Sequence, residues 1–187
     1  EDTCAQSCYT IINQIYDPLM IQARDGSYHP FLAESVLPNA DFTVWTATLR
    51  SGVSFSNGTA VSAQTIADMW TIQQGGAASA GAISTAKLIN VEATSDLTVE
   101  YTLSATNSTF ASFLANAPIG YVFDPVPAAD PIAFNDNPIG SGPFILDSRD
   151  VDNETVLVRN PDYWLSINGR QLPYLDSVAY RPIPDET

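Results

Sequence analysis

The sequence predicts a mixed α/β (α+β) fold rich in short strands, on three observations. Residues 45–66 read WTATLRSGVSFSNGTAVSAQTI, which holds a strand from Trp45 to Leu49, a shorter one around Val53–Phe55, a turn at Asn57–Gly58, and Ser62 as a helix N-cap. Residues 5–16 repeat apolar side chains at helical spacing, whereas residues 97–104 alternate apolar and polar side chains as a half-buried strand does. Thirteen prolines and ten glycines favour short elements and turns over long helices.

Taken in order, Cys8, Ile11, Ile12 and Ile15 form one stripe of a helix over residues 5–16, and Pro18 stops it near Tyr16. Residues 24–39 read as turn, extended chain and turn; His29, beside Pro30, is expected on an exposed loop without a catalytic role. The helix behind Ser62 runs to about Trp70, with Ile66, Met69 and Trp70 on its core side. Residues 73–84, QQGGAASAGAIS, are low in complexity and are expected to be a mobile connection; they lack the Gly-Lys-Ser/Thr of a phosphate loop. Residues 88–94 and 97–104 pair as a hairpin with its turn at Ser95–Asp96. Phe110, Phe113, Leu114 and Ala117 recur at helical spacing behind a cap at Ser108, and five prolines between 118 and 138 predict irregular chain. In PIGSGPF, residues 138–144, two glycines permit a sharp turn before a strand. Gly-Ser-Gly is not the Gly-x-Ser-x-Gly of a nucleophile elbow, so Ser141 is not read as a nucleophile.

Composition narrows the function. Apolar residues make up 45% of the chain, which is globular, and a domain of 187 residues buries roughly 70% of its unfolded surface without needing a staple. A net charge of −14 argues against nucleic acid and against an anionic membrane surface. No apolar run reaches the ~18 residues of a membrane span, and no signal peptide is visible. Cys4 and Cys8, four apart, would lie on one helix face with Cα atoms about 6 Å apart, within disulfide range. A Cys4–Cys8 disulfide and two buried thiols both stay open. Two sulfurs and a distant His29 do not make a zinc site.

Four stretches occur in the order found in extracytoplasmic solute-binding proteins of peptide-type ABC importers, the oligopeptide- and dipeptide-binding family 5. The first is Leu49–Arg50, Gly52–Val53, Phe55, Gly58–Thr59 and Ala63, with Phe31–Val36 matching just upstream. The others are residues 138–144, 156–164 (VLVRNPDYW) and 173–187. Ser56–Asn57 and Gln64–Thr65 stand where the family carries His-Asp and Glu-Asp, so any role of those acids does not carry over.

This resemblance implies the first lobe of a type II periplasmic-binding-protein fold. Residues 1–29 and 138–187 would form its hinge-proximal part and residues 30–137 an inserted subdomain, the second lobe lying outside this chain. It implies capture of a peptide or other small solute between two lobes and delivery to a membrane permease, by a monomer outside the cytoplasm, with lipid anchoring through a removed N-terminal segment as one route to the membrane. It implies no enzyme activity, cofactor or metal. Ligand contacts carry over to Tyr16, Asp17 and Leu19, with Pro18 where a glycine is common. Tyr16 can stack and donate a hydrogen bond, and Asp17 can pair a ligand ammonium; structural roles for both stay open. A carboxylate-dependent hydrolase and a non-transport surface or signalling module are the competing readings.

Overall fold

The computed structural model describes residues 6–150 and 153–182, the side chains of 6–8 and 131–133 excepted. Helix α1 (Gln6–Ile15) leads to a two-stranded ribbon of β1 (Met20–Gln22) and β2 (Tyr28–Pro30). β3 (Ala33–Pro38) and β4 (Val44–Leu49) follow, then α2 (Ala63–Gly75), α3 (Ala77–Ala86), β5 (Leu88–Ala93) and β6 (Thr98–Leu103). A 3-10 turn at Phe110–Ser112 runs into α4 (Phe113–Asn116), and short helices α5 (Pro125–Ala128) and α6 (Pro131–Asp136) come next. β7 (Phe144–Asp150), β8 (Glu154–Arg159), the ribbon of β9 (Ser166–Ile167) and β10 (Arg170–Gln171), and β11 (Ser177–Tyr180) complete the described chain.

The four-stranded antiparallel sheet runs β3-β4-β6-β5. Its register sets Trp45 opposite Tyr101 and Ala47 opposite Val99, so the alternation read from the sequence puts one whole face inside. Ile66, Met69 and Trp70 of α2 cover that face. The predicted cap is present as a capping box: the Thr65 amide donates to Ser62 Oγ at 3.2 Å, and the Ser62 amide to Thr65 Oγ1 at 3.3 Å. A second, three-stranded sheet, β11-β8-β7, packs its Phe144 and Leu157 against Ile15 at the end of α1.

Several expectations are corrected. Residues 77–86 form a helix rather than a mobile connection; five of these ten residues are alanine, the best helix former, which outweighs the lone Gly81. α2 accordingly runs past Trp70 to Gly75. Around Val53–Phe55 only a single bridge, Ser54 to Ala60, forms instead of a strand, although Val53 and Phe55 are both buried. The proline-rich stretch is not simply irregular: Pro125 opens a helical turn, where its missing N–H is no loss, and the Asp124 carboxylate accepts from the Val126 amide at 3.0 Å. Ser108 does not cap the following turn; Asn107 Oδ1 accepts the Thr109 amide at 3.0 Å.

Gly140 and Gly142 serve close approach as well as the bend that the chain makes at 141–143, just before β7. Neither has a positive φ, but a Cβ on Gly140 would fall on the Ile15 carbonyl, and one on Gly142 would lie 2.6 Å from the Ile15 carbonyl carbon. Gly140→Ala is therefore expected to lower the unfolding free energy by about 3 kcal/mol in urea titration. Gly81→Ala, inside α3 with open space around it, is expected to raise it by about 0.5–1 kcal/mol. Equal small changes in the two variants would contradict this account of the close contact.

Candidate functional site

Pro18 ends α1 one turn before the chain enters β1, and the segment so released, Ile15–Leu19, is held by backbone on both sides. Leu19 N–H donates to the Gly120 carbonyl at 2.9 Å and Val122 N–H to the Asp17 carbonyl at 3.0 Å. On the other side, the Leu19 carbonyl accepts from Phe31 (3.0 Å) and Ala33 (3.1 Å), and Pro18 from Leu32 (3.3 Å). Gly142 N–H closes onto the Ile15 carbonyl at 2.8 Å.

Beneath this segment the Asp17 side chain is 2% exposed. Trp164 Nε1 donates to one carboxyl oxygen at 2.6 Å and the Tyr163 hydroxyl to the other at 3.2 Å. Trp164 is in turn packed edge-to-face on Phe31 and lies under the Arg50 guanidinium, 5.4 Å from its ring centre. Arg50 also donates to the Phe31 carbonyl at 2.6 Å. Among the described residues no Lys or Arg pairs with Asp17. Burial pushes its carboxyl up to about 7, against the opposing pull of the Trp164 and Tyr163 hydrogen bonds. Burial, then the Asp17 charge, pushes the Tyr163 hydroxyl up as well.

Asp17 and Tyr163 form the floor of a groove of about 940 Å³. One side is the outward face of α1, with Tyr9, Thr10, Asn13 and Gln14; the other carries Gln22, Asn116 and Tyr121. Tyr9 lies near enough to Tyr121 to add, after burial, to the upward shift of its hydroxyl.

The three residues expected at the ligand part company here. Asp17 lines the groove. Tyr16 packs behind it, stacked on Phe134 at 6.1 Å between ring centres and edge-on to Phe123, and burial pushes its hydroxyl up. Leu19 is 1% exposed in the main core. Cys4 and the Cys8 side chain lie outside the described residues. His29 is exposed, on β2 rather than a loop, with Nε2 2.7 Å from Ser27 Oγ. Reading the sequence for a core stripe passed over Tyr9, Asn13 and Gln14. Their signal is that α1 contains no charged residue in a chain with 21 acids, so its outer face is not an ordinary solvated one.

Residues 27–187 match the model of the bacterial extracellular solute-binding proteins, family 5 Middle. The chain belongs to this family. It is 29% identical over 185 residues to the nickel-binding periplasmic protein of Escherichia coli K12, covering 94% of this chain and 33% of that protein. It is 28% identical over 200 residues to the periplasmic oligopeptide-binding protein OppA of Salmonella typhimurium LT2, covering 94% and 35%. The chain thus spans about a third of the length of these relatives. Its structure is similar to that of the binding protein MoaA with mannopinic acid from A. tumefaciens R10, with a TM-score of 0.84, 26% identity, and coverage of 98% of this chain and 38% of that one. AppA of Bacillus subtilis with a nonapeptide shares the fold at a TM-score of 0.80 and 24% identity, covering 98% and 37%. The fold is that of type II periplasmic binding proteins, as the sequence resemblance implied.

The family's recurrent stretches meet around Ile15–Leu19. Arg50 belongs to the first, Gly140 and Gly142 to the second, Tyr163 and Trp164 to the third. Asn160, also of the third, donates to the Gly142 carbonyl at 2.9 Å and is 2% exposed.

The folded carboxyl of Asp17 keeps its proton to about pH 7, whereas the unfolded one gives it up near 3.8. Its contribution to stability is therefore full below about pH 4 and is lost as pH rises to about 7, on the order of a few kcal/mol. Asp17→Asn keeps the shape and an acceptor oxygen but does not titrate. Relative to Asp17→Asn, wild-type stability in urea is expected to fall between about pH 4.5 and 7.5. Parallel pH profiles would refute the buried, unpaired carboxyl.

Proposed function

We propose that this chain supplies one wall of an extracytoplasmic solute-binding protein that serves an ABC importer, holding a peptide or other small solute in the α1 groove while a second lobe closes over it. Family membership together with an open groove beside the α1–β1 junction, lined by no Lys or Arg, carries this reading. On it, residues 1–29 and 138–187 form the hinge-proximal part and residues 30–137 an inserted subdomain. Asp17 forms the floor, and Tyr16 and Leu19 set the wall from behind. The protein acts as a monomer outside the cytoplasm, hands solute to the permease, and needs neither cofactor nor nucleic acid. Lipid attachment through a removed N-terminal segment belongs to the same reading. Among the described residues no helix is long and apolar enough to cross a membrane.

A hydrolase acting through paired carboxylates fits less well. Asp17 is the sole carboxylate among the described residues lining the groove, whereas glycoside hydrolysis needs two.

Native mass spectrometry of the full-length protein from its own host is expected to show a bound small solute that leaves on unfolding. The 187-residue chain alone is expected to bind that solute only weakly in calorimetric titration, since half of the burial is missing. A full-length protein that carries no solute would contradict the capture reading, and micromolar binding by the 187-residue chain would contradict the shared wall.

A further inference from the structure

We propose that the solute taken by this groove carries no net negative charge and is recognised through its hydroxyl or amide groups, with Asn13 and Gln14 of α1 as the residues that read it. This inference rests on the capture reading above and narrows it to one chemical class.

The first ground is the complete lack of a cation for the wall. The chain has seven Lys and Arg residues, all of them described, and none lines the groove. Several are engaged elsewhere: Arg50 on the Phe31 carbonyl and the Trp164 ring, Arg159 on Asp176 at 2.7 Å, Arg181 on Glu154 at 2.7 Å. An anionic solute would enter against the field of a chain with net charge −14 and lose water with no counter-charge from this side. Among the described residues of the lining, Asp17 is the single carboxylate; it is 2% exposed and its oxygens already accept from Trp164 and Tyr163.

The second ground is unused hydrogen-bonding capacity. Among the described residues, the Asn13 and Gln14 amides and the Tyr9 and Tyr121 hydroxyls make no side-chain hydrogen bond, yet all four line the groove. Asn116 opposite them is fixed in orientation by donating to Tyr28 at 3.2 Å. Each amide offers a donor and an acceptor side by side, which complements a sugar hydroxyl or a peptide group and has no special match for a carboxylate or phosphate. The Tyr9 ring, 38% exposed, adds a flat apolar face. A groove of about 940 Å³ is at the upper end for a small ligand, so it suits a solute of several units. An oligosaccharide and a short peptide read through its backbone share this chemistry.

The test uses the full-length protein and the solute that leaves it on unfolding. Its net charge at pH 7 is read by electrophoretic mobility, and its sugar and amino-acid content after acid hydrolysis. A solute without net negative charge is expected, and the hydrolysate distinguishes the two sources. A net anion would overturn this inference while leaving capture intact; no solute at all would overturn both. The isolated solute is then titrated into wild type and Asn13→Ala. Asn13 is exposed on α1, so the variant folds; affinity is expected to fall about fivefold, the loss of one hydrogen bond. Unchanged affinity, with wild-type thermal stability retained, would remove Asn13 from the wall and overturn the assignment. Asn13→Lys is expected to lower affinity for that solute at least as much, and tighter binding in that variant would overturn the exclusion of anions.

Discussion

The rest of the structure depends on the confinement of five residues, Ile15–Leu19. They leave a helix and run extended with protein backbone on both flanks, glycines above and a buried carboxyl below. In such a position every peptide group must find a partner, because water cannot reach it. Pro18 eases that demand by contributing no N–H, and its carbonyl is taken by Leu32. The groove is the outer surface of this arrangement, so its shape follows from how tightly the five residues are clamped.

The stretches that make the chain recognisable as a family member are braces for this segment rather than groove-lining groups for the most part. Arg50 supports Trp164, Trp164 and Tyr163 hold Asp17, Asn160 holds the Gly142 carbonyl, and Gly142 holds Ile15. Links also join the first stretch to the second: Ser56 N–H donates to the Gly140 carbonyl at 2.9 Å, and Asn57 to Asp124 at 2.8 Å. Asn57 makes this bond at a position where the family carries an acid, so the departure from the pattern exchanges a charge for a neutral donor. The groove-lining side chains that make no hydrogen bond among the described residues, Asn13 and Gln14 among them, lie outside those stretches. A scaffold fixed by shared residues and a wall built from others is consistent with one fold serving varied solutes.

Much of this was legible in the sequence because the signals are local. Ser62 caps its helix, Asn57–Gly58 turns, with Gly58 at φ +84°, and the alternation from Leu97 to Leu103 marks one buried face. What was missed has two causes: residues whose surroundings depend on remote neighbours, and, in α3, local signals that conflict. Val53 and Phe55 are buried by the core rather than by strand pairing. The alanines of α3 were masked by the glycines beside them. Gly140 and Gly142 flank the bend expected of them, but their close approach to the Ile15 backbone, far earlier in the chain, is invisible to local reading. Nothing in IYDPL reveals that Tyr163 and Trp164, far along the chain, will hydrogen-bond the Asp17 carboxyl.

Amide hydrogen exchange, followed residue by residue in NMR, tests the clamp most directly. The amides of Leu19, Phe31, Ala33, Val122 and Gly142, which bond to or within the Ile15–Leu19 segment, are expected to exchange only through global unfolding, with protection equal to that of Val99 and Tyr101 in the central strand β6. Exchange of these five amides by local opening, well ahead of β6, would show that the segment is held loosely and would contradict the account.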